Sequence, residues 1–271
     1  HTGVLVAPQT VLTSAHAFDG DFSGEVTRDL SGVVFGFHPY PLEGETYSVQ
    51  RVVLHPAWPT KPAQHDLALL FLDRPVEDVT PARVFSGNPL GMHGVAVGYG
   101  VQSDGYGNEL VGANPRIAFE NTIDYVGPED GRLLSYLGED PARAHEVGVT
   151  LRSDFDDPSG TANSYGGVEP LALEGGTATG DSGGPLFVPH HGEWKVAGVL
   201  FGSFNPYEDL YGEMGYGNVA LWSPLFLAEN QSFLRDNKIE VLRGPQEVPE
   251  PGGLILAGLG GLLGVVVRRW Q

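Results

Sequence analysis

The segment Gly180-Asp181-Ser182-Gly183-Gly184-Pro185 places one serine between glycines on both sides. A nucleophilic serine needs an exposed oxygen and two backbone N–H groups directed at the oxyanion that forms during acyl transfer. Glycines permit the tight turn and the close backbone approach that this arrangement requires. The N–H groups of Gly180 and Ser182 are the candidate donors. An ordinary Gly-rich turn is the alternative for a bare G-x-S-x-G pattern, and the full six-residue string disfavours it.

The same pattern also occurs at the nucleophile elbow of α/β-hydrolases. An elbow needs a helix directly after the serine, and Gly183-Gly184-Pro185 opposes a helix. An elbow also needs the chain order serine, acid, histidine, yet only His190 and His191 follow Ser182. The α/β-hydrolase interpretation therefore fails on both counts.

The rest of the chain favours short strands. Gly and Pro contribute 39 and 21 of the 271 residues, which disfavours long helices. The apolar and β-branched runs are short and bounded by turn residues, with no alternation of strands and long helices. We therefore predict an all-β fold with one short helix near residues 226–238. Residues 74–83 resemble a linker between two halves, and residues 101–174 lack strong periodicity and predict long surface loops.

Charge and composition exclude several classes of function. The net charge of −19 repels phosphate backbones, so nucleic acid is not an expected partner. The absence of cysteine removes disulfides, thiolate catalysis and cysteine zinc sites. An apolar content of 41% is enough for a hydrophobic core, so the chain as a whole is not disordered.

A nucleophilic serine needs a base, and the base needs a carboxylate to orient it. His16 ends an apolar segment, which suits a side chain that faces a cleft. Asp66 opens the apolar run Asp66-Leu67-Ala68-Leu69-Leu70, where a charge is costly to bury unless it is paired. His65 directly precedes Asp66, and on a strand the two side chains would point to opposite faces. The remaining histidines are expected at the surface. They are His1, His38, His55, His93, His145, His190 and His191.

Three segments together resemble the chymotrypsin/trypsin-like serine proteases. Thr13-Ser14-Ala15-His16, the run that opens at Asp66, and the Gly180–Pro185 segment match the three sequence boxes of that family, in its order. The resemblance extends from about Gly3 to Lys238. It implies two antiparallel six-stranded-type β-barrels with a catalytic cleft between them and a short C-terminal helix. We expect the first barrel over residues 1–85, without the family's N-terminal strand, and the second barrel with the helix over residues 86–243.

The resemblance also implies a mechanism and the residues that carry it. Ser182 would attack the substrate carbonyl, and His16 would take its proton and later donate it to the leaving amine. Asp66 would fix the tautomer of His16, and the N–H groups of Gly180 and Ser182 would form the oxyanion hole. The specificity pocket would include Gly176 and Thr177, and Gly176 offers no carboxylate for a basic side chain.

The resulting prediction is a serine endopeptidase that acts on protein or peptide substrates and needs no cofactor. Two alternatives remain open: a non-catalytic surface or adhesion protein on a protease scaffold, and an esterase that uses the same triad. Asp154, Asp156 and Asp157 could offer oxygens to Ca²⁺, although a solvated acidic loop is the preferred interpretation.

Residues 244–271 form a separate tail. Val248-Pro249-Glu250-Pro251 precedes an uncharged span over residues 252–267, and Arg268 and Arg269 follow at once. As a helix this span would measure about 24 Å, slightly less than a hydrocarbon core of about 30 Å. A buried core helix is the alternative. The arrangement resembles a bacterial PEP-CTERM sorting signal.

That resemblance implies export to the cell envelope or surface, transient anchoring in the inner membrane and processing by an exosortase-like peptidase. The positive-inside rule places the two arginines in the cytoplasm. Because the sequence begins with His1 rather than Met, we also expect a fragment or a processed form that a signal peptide could have preceded.

Overall fold

The fold consists of two curled antiparallel β-sheets joined by loops and a few short helices. The computed structural model describes residues 1–40, 44–110, 115–165 and 169–241. The predicted all-β class with two antiparallel barrels is confirmed. The barrel boundaries at residues 85 and 243 stay predictions, and the predicted sorting tail lies outside the described residues.

The first sheet contains five strands in the spatial order β1-β2-β5-β4-β3. All of its pairings are antiparallel, and β2 pairs with β5 so that Thr13 lies opposite Ala68. The strands are β1 (Val4–Ala7), β2 (Thr10–Thr13), β3 (Val34–Gly36), β4 (Thr46–Leu54) and β5 (Ala68–Leu72).

The second sheet contains eight strands, seven of which follow the order β8-β7-β11-β12-β13-β10-β9. The remaining strand, β6, pairs in parallel with β12. The strands are β6 (Arg83–Val84), β7 (His93–Gly98), β8 (Ile117–Thr122), β9 (Tyr125–Pro128), β10 (Val149–Asp154), β11 (Pro185–His190), β12 (Glu193–Phe204) and β13 (Val219–Pro224).

The alternation of side chains along the strands divides the core into layers. In β1, Val4 and Val6 pack toward the second sheet with Val97 and Phe187, whereas Leu5 packs inside the first sheet with Val11. This follows from the period of two in a β-strand, which sends neighbouring side chains to opposite faces. The same strands therefore fill the first barrel and bind it to the second.

Four short α-helices and two 3₁₀ helices, Trp58–Thr60 and Pro141–Glu146, complete the described structure. The predicted C-terminal helix is present as α4, which packs Phe233 and Leu234 into the core shared by the two sheets. The helices are α1 (Pro62–His65), α2 (Arg132–Tyr136), α3 (Glu208–Tyr211) and α4 (Ala228–Asp236).

Residues 101–174 contain more regular structure than the predicted surface loops. They supply the three strands β8, β9 and β10 and the helix α2. The hydropathy pattern misses β10 because it buries polar residues: the Arg152 side chain has no exposed surface. Arg152 donates to Asp130 at 3.0 Å and to the Tyr165 hydroxyl at 2.9 Å, so the charge is paired inside the protein. A buried, paired arginine weakens the apolar signal without weakening the strand.

Two histidine predictions need correction. His65 ends α1 rather than lying on a strand, and its Nδ1 makes a 2.9 Å hydrogen bond with Asn230 Oδ1. His55 is not a surface residue: it is 3% exposed, and its ring stacks on that of His65 at 4.5 Å. Burial and the neighbouring His65 lower the pKa of His55 to about 4. These two histidines therefore belong to the packing between α4 and the first barrel.

Candidate active site

The pairing of β2 with β5 brings His16 next to Asp66. Because Thr13 ends β2 opposite Ala68 at the start of β5, the residues just beyond these positions meet at the same edge of the sheet. The His16 Nδ1 atom lies 2.6 Å from Asp66 Oδ2, and the His16 backbone N–H donates to Asp66 Oδ1 at 2.8 Å. One carboxylate therefore holds both the backbone and the ring of this histidine.

Burial differs sharply between the two partners. The Asp66 side chain has no exposed surface, whereas 21% of the His16 side chain is exposed. Burial raises the pKa of the Asp66 carboxyl, and the hydrogen bonds from His16 act against that rise. The far side of the imidazole thus reaches solvent while its Nδ1 side is fixed inside the protein.

The Ser182 loop is a tight turn that leads into β11. The Gly184 N–H donates to the Asp181 carbonyl at 2.7 Å, and the Gly183 N–H donates to the Leu200 carbonyl of β12 at 2.9 Å. Gly183 has a φ of +83°, and a Cβ there would lie 2.1 Å from Thr13 Oγ1. Position 183 therefore requires glycine for both its backbone angle and the space that it leaves to the first sheet.

The N–H groups of Gly180 and Ser182 donate to no residue in the described part of the chain. Their directions follow from the carbonyls in the same peptide planes, because C=O and N–H point opposite ways in a trans peptide. The Thr179 carbonyl accepts from the Val101 N–H at 2.9 Å, and the Asp181 carbonyl accepts from Gly184 inside the turn. Both N–H groups consequently point away from these internal contacts.

Within the described residues, no hydrogen bond joins Ser182 Oγ to His16. Hydrogen bonds between catalytic groups are often long without substrate and shorten in the complex, so the absence of this bond is compatible with proton transfer. The Phe201 ring lies 6.3 Å from that of His16 at an interplanar angle of 90°, and the His1 ring lies 5.5 Å from it. Two aromatic rings therefore lie near the His16 imidazole.

The two predicted pocket residues lie against Asn218. A Cβ at Gly176 would lie 2.9 Å from Asn218 Oδ1, and the same oxygen accepts from the Thr177 N–H at 3.3 Å. Asn218 Nδ2 donates to the Glu213 carbonyl at 2.9 Å, which fixes the orientation of the amide. Thr177 is 3% exposed, and its buried hydroxyl has no partner among the described residues.

Glu174 is the acidic residue closest in sequence to this pocket, and its side chain forms hydrogen bonds within its own loop. Its carboxylate accepts from the N–H groups of Asp156 at 2.8 Å and Leu171 at 2.5 Å. Burial, with smaller contributions from nearby aspartates, raises the pKa of Glu174 to about 7. Two backbone N–H groups of its own loop therefore already bond to the Glu174 carboxylate.

The three candidate calcium ligands do not converge on one point. Asp154 accepts from the N–H groups of Ser164 and Tyr165, whereas Asp157 accepts from Ser159 and from the Tyr211 hydroxyl. Asp156 has no side-chain hydrogen bond to a described residue, and burial followed by the charge of Asp154 raises its pKa to about 6. No group of metal-ligating side chains is found within the four described ranges.

A cavity of about 530 Å³ lies beside the Ser182 loop. The predicted pocket residues Gly176 and Thr177 contribute to its wall together with Glu174 and Asp181, but His16 and Ser182 do not. The Asp181 carboxylate accepts from the N–H groups of Gly100 at 2.7 Å and Ala178 at 3.0 Å, and burial raises its pKa to about 6. The carboxylate therefore ties the Ser182 loop to the segment that follows β7.

Two β-barrels that carry an imidazole–carboxylate pair and a glycine-bounded serine are the architecture of a class of serine hydrolases. The trypsin-like peptidase domain, as a family model, matches residues 1–199, and the chain belongs to that family of serine peptidases. Its substrates are accordingly proteins or peptides.

A second family model, the PEP-CTERM protein-sorting motif, matches residues 247–269. The motif identifies an exported protein that a sorting system directs to the envelope or surface. The matched residues lie outside the described structure. No helix in residues 1–40, 44–110, 115–165 or 169–241 has the length and apolar character to cross a membrane.

Sequence reasoning did not single out three residues that the structure brings to this site: Thr2, Phe201 and Asn218. Thr2 and Asn218 are single polar residues without a motif, and Phe201 belongs to a strand that reads as ordinary core. Only the folded chain brings them to the site: Thr2 bonds the Ser182 carbonyl, Phe201 lies near the His16 ring, and Asn218 lies against Gly176.

Proposed function

We propose that this protein is an active serine endopeptidase in which Ser182, His16 and Asp66 act together. The observation that carries the proposal is the doubly hydrogen-bonded Asp66–His16 pair, with distances of 2.6 and 2.8 Å. It occurs in a chain of the trypsin-like peptidase family. A buried carboxylate that holds the imidazole in one tautomer is what a histidine base requires.

The proposed reaction forms and hydrolyses an acyl-enzyme. Ser182 Oγ bonds to the substrate carbonyl carbon while its proton passes to His16 Nε2, and the N–H groups of Gly180 and Ser182 stabilise the oxyanion. The imidazolium then protonates the leaving amine as the peptide bond breaks. Water attacks the acyl-enzyme by the same route, giving its proton to His16, which returns it to Ser182 Oγ.

The two alternatives make different demands on the site. A non-catalytic adhesion protein has no need for a buried carboxylate oriented on a histidine, because burying a charge costs desolvation free energy even when the charge is paired, and it gives no binding advantage. An esterase would use the same groups, since acyl transfer to serine does not depend on an amine leaving group. Cleavage of peptides therefore separates the proposed function from the esterase alternative.

For specificity, we propose that the enzyme selects small or apolar side chains and rejects arginine and lysine. By the resemblance, Gly176 lies at the base of the specificity pocket, where Asn218 Oδ1 would lie 2.9 Å from any added Cβ. A neutral amide lies against that position, and the carboxylate of Glu174, which lines the same cavity as Gly176, is hydrogen-bonded within its own loop. A buried cation without a partner costs several kcal/mol.

For localisation, we propose that an exosortase-like peptidase removes the sorting tail after transient anchoring in the inner membrane. The support is the match of residues 247–269 to the sorting motif, together with the short uncharged span and the terminal Arg268-Arg269 pair. The trypsin-like domain would then be released from the membrane or transferred to the surface.

The nucleophile is tested by labelling with a fluorophosphonate probe. Ser182→Ala should abolish the covalent adduct and lower kcat on peptides by about 10⁴- to 10⁶-fold, because the nucleophile is gone while the fold is kept. Ser232→Ala, which changes an exposed serine on α4, is the matched control and should label fully. An adduct on the Ser182→Ala protein would show that another residue is the nucleophile, and a wild-type protein that neither labels nor cleaves would favour the adhesion alternative.

The pocket is tested by cleavage profiling on a peptide library. The wild type should cleave after small or apolar residues, and Asn218→Gly should raise kcat/KM for longer apolar side chains by about 10-fold or more, because it opens the base. Asn205→Ala is the control: Asn205 Nδ2 holds the same loop through the carbonyls of Gly212 and Tyr216, but it does not touch Gly176. Dominant cleavage after arginine or lysine, or the same broadening in the control, would refute the pocket assignment.

Tail removal is tested by intact-mass spectrometry of the protein isolated from its native host. The proposal predicts a C-terminus near residues 248–253, because processing at the motif separates the peptidase domain from the apolar span. Blocking residues 248–251 by alanine substitution should leave the full tail in place. A mature surface protein that still ends at Gln271 without such substitution would contradict the proposed processing.

A further inference from the structure

Thr2 lies beneath the Ser182 loop, and all of its polar groups are used there. It is 2% exposed. Its N–H donates to the Ser182 carbonyl at 2.8 Å, and its hydroxyl donates to the Gly180 carbonyl at 3.0 Å. The hydroxyl also accepts from the Tyr99 N–H at 3.2 Å, and the Thr2 carbonyl accepts from Thr13 Oγ1 at 2.6 Å. One residue of the first barrel thus binds the carbonyls at both ends of the segment that would form the oxyanion hole.

Gly180 is the position in that segment with the greatest conformational freedom. Its φ is +102°, a region that glycine enters without steric cost, so its flanking peptides could rotate readily if nothing held them. The Val101 N–H holds the peptide before it through the Thr179 carbonyl at 2.9 Å. The peptide after it is held by the Thr2 hydroxyl and by the Asp181 N–H, which donates to the Ala178 carbonyl at 3.0 Å.

We propose that Thr2 is a positioning residue for catalysis, whose hydroxyl helps to keep the Ser182 N–H directed into the oxyanion hole. The proposal rests on the proposed function, because it assigns a role within the same reaction. The Thr2 hydroxyl holds the Gly180–Asp181 peptide through the Gly180 carbonyl, and the Thr2 N–H holds the Ser182–Gly183 peptide through the Ser182 carbonyl. The Asp181–Ser182 peptide between them, which carries the Ser182 N–H, is therefore fixed from both sides. The donor is then in place before substrate arrives, which is the condition under which a hydrogen bond lowers the barrier most.

The hydroxyl group is what this position requires. It donates to one backbone carbonyl and accepts from one backbone N–H at the same time, which serine can reproduce and valine cannot. Valine has nearly the same shape as threonine, so it would keep the packing while leaving the Gly180 carbonyl and the Tyr99 N–H unpaired. An unpaired buried carbonyl favours rotation of its peptide toward another donor, and such rotation would displace the adjoining Asp181–Ser182 peptide, which carries the Ser182 N–H.

The experiment compares Thr2→Val, Thr2→Ala and Thr2→Ser with the wild type in three measurements. Steady-state kinetics gives kcat and KM on a peptide substrate. Inhibition by a peptide boronic acid measures binding of a group that places a negative oxygen in the hole. Inhibition by the same peptide with an unreactive amide end measures binding without the oxyanion.

The proposal predicts that Thr2→Val and Thr2→Ala lower kcat by about 10- to 100-fold with KM nearly unchanged, because a misplaced donor weakens only the transition state. Binding of the boronic acid should weaken by a similar factor, and binding of the unreactive peptide should stay within about two-fold. Thr2→Ser should restore most of kcat. Thr150→Val is the matched control: Thr150 is equally buried, its hydroxyl accepts from Arg152 Nε at 3.0 Å, and β10 contributes nothing to the hole.

Three outcomes would overturn the assignment. One is a Thr2→Val or Thr2→Ala protein whose kcat equals that of the wild type, given that the wild type is active. A second is an equal loss of kcat in Thr2→Ser and Thr2→Val, and the third is an equal loss in the Thr150→Val control. If Thr2→Val does not fold, Thr2→Ala and Thr2→Ser give the same comparison. A wild-type protein without activity or labelling would instead refute the proposed function, so the two failures are distinguishable.

Discussion

The burial of the Asp66 carboxylate is the constraint on which the site depends. A carboxylate with no exposed surface is tolerated only when hydrogen bonds replace its lost hydration. Two of its bonds come from the backbone and the ring of His16, at 2.8 and 2.6 Å. The position of His16 is therefore a consequence of satisfying a buried charge, and the pairing of β2 with β5 makes that satisfaction possible.

The serine loop shows the same dependence of the site on the contact between the two barrels. Ser182 precedes β11 in the second sheet, yet its carbonyl accepts from Thr2 in the first barrel, and Gly183 leaves room for Thr13. The shared core of Val4, Val97 and Phe187 holds the sheets together directly behind this contact. Neither barrel alone could position Ser182 relative to His16, so the candidate site depends on both barrels.

Much of the candidate site could be proposed from sequence because its residues lie in short motifs with chemical meaning. The segments around His16, Asp66 and Ser182 are such motifs, and the structure brings His16 and Asp66 into contact. The short apolar runs between glycines and prolines predicted the all-β fold. Prediction failed where polar residues are buried and paired, as for Arg152 in β10 and for His55 stacked on His65. It also missed Thr2 and Asn218, because their importance depends on strand pairings that no local pattern encodes.

The most direct test of the account is a crystal structure of the protein with a peptide boronic acid in the cleft. The account predicts a bond from Ser182 Oγ to boron, with one boron-bound oxygen accepting from the N–H groups of Gly180 and Ser182 at about 2.7–3.1 Å. It also predicts that His16 keeps its two bonds to Asp66 while its Nε2 turns toward the Ser182 oxygen. Boron bound to another residue, or a Gly180 N–H turned away from the boron-bound oxygen, would contradict the account.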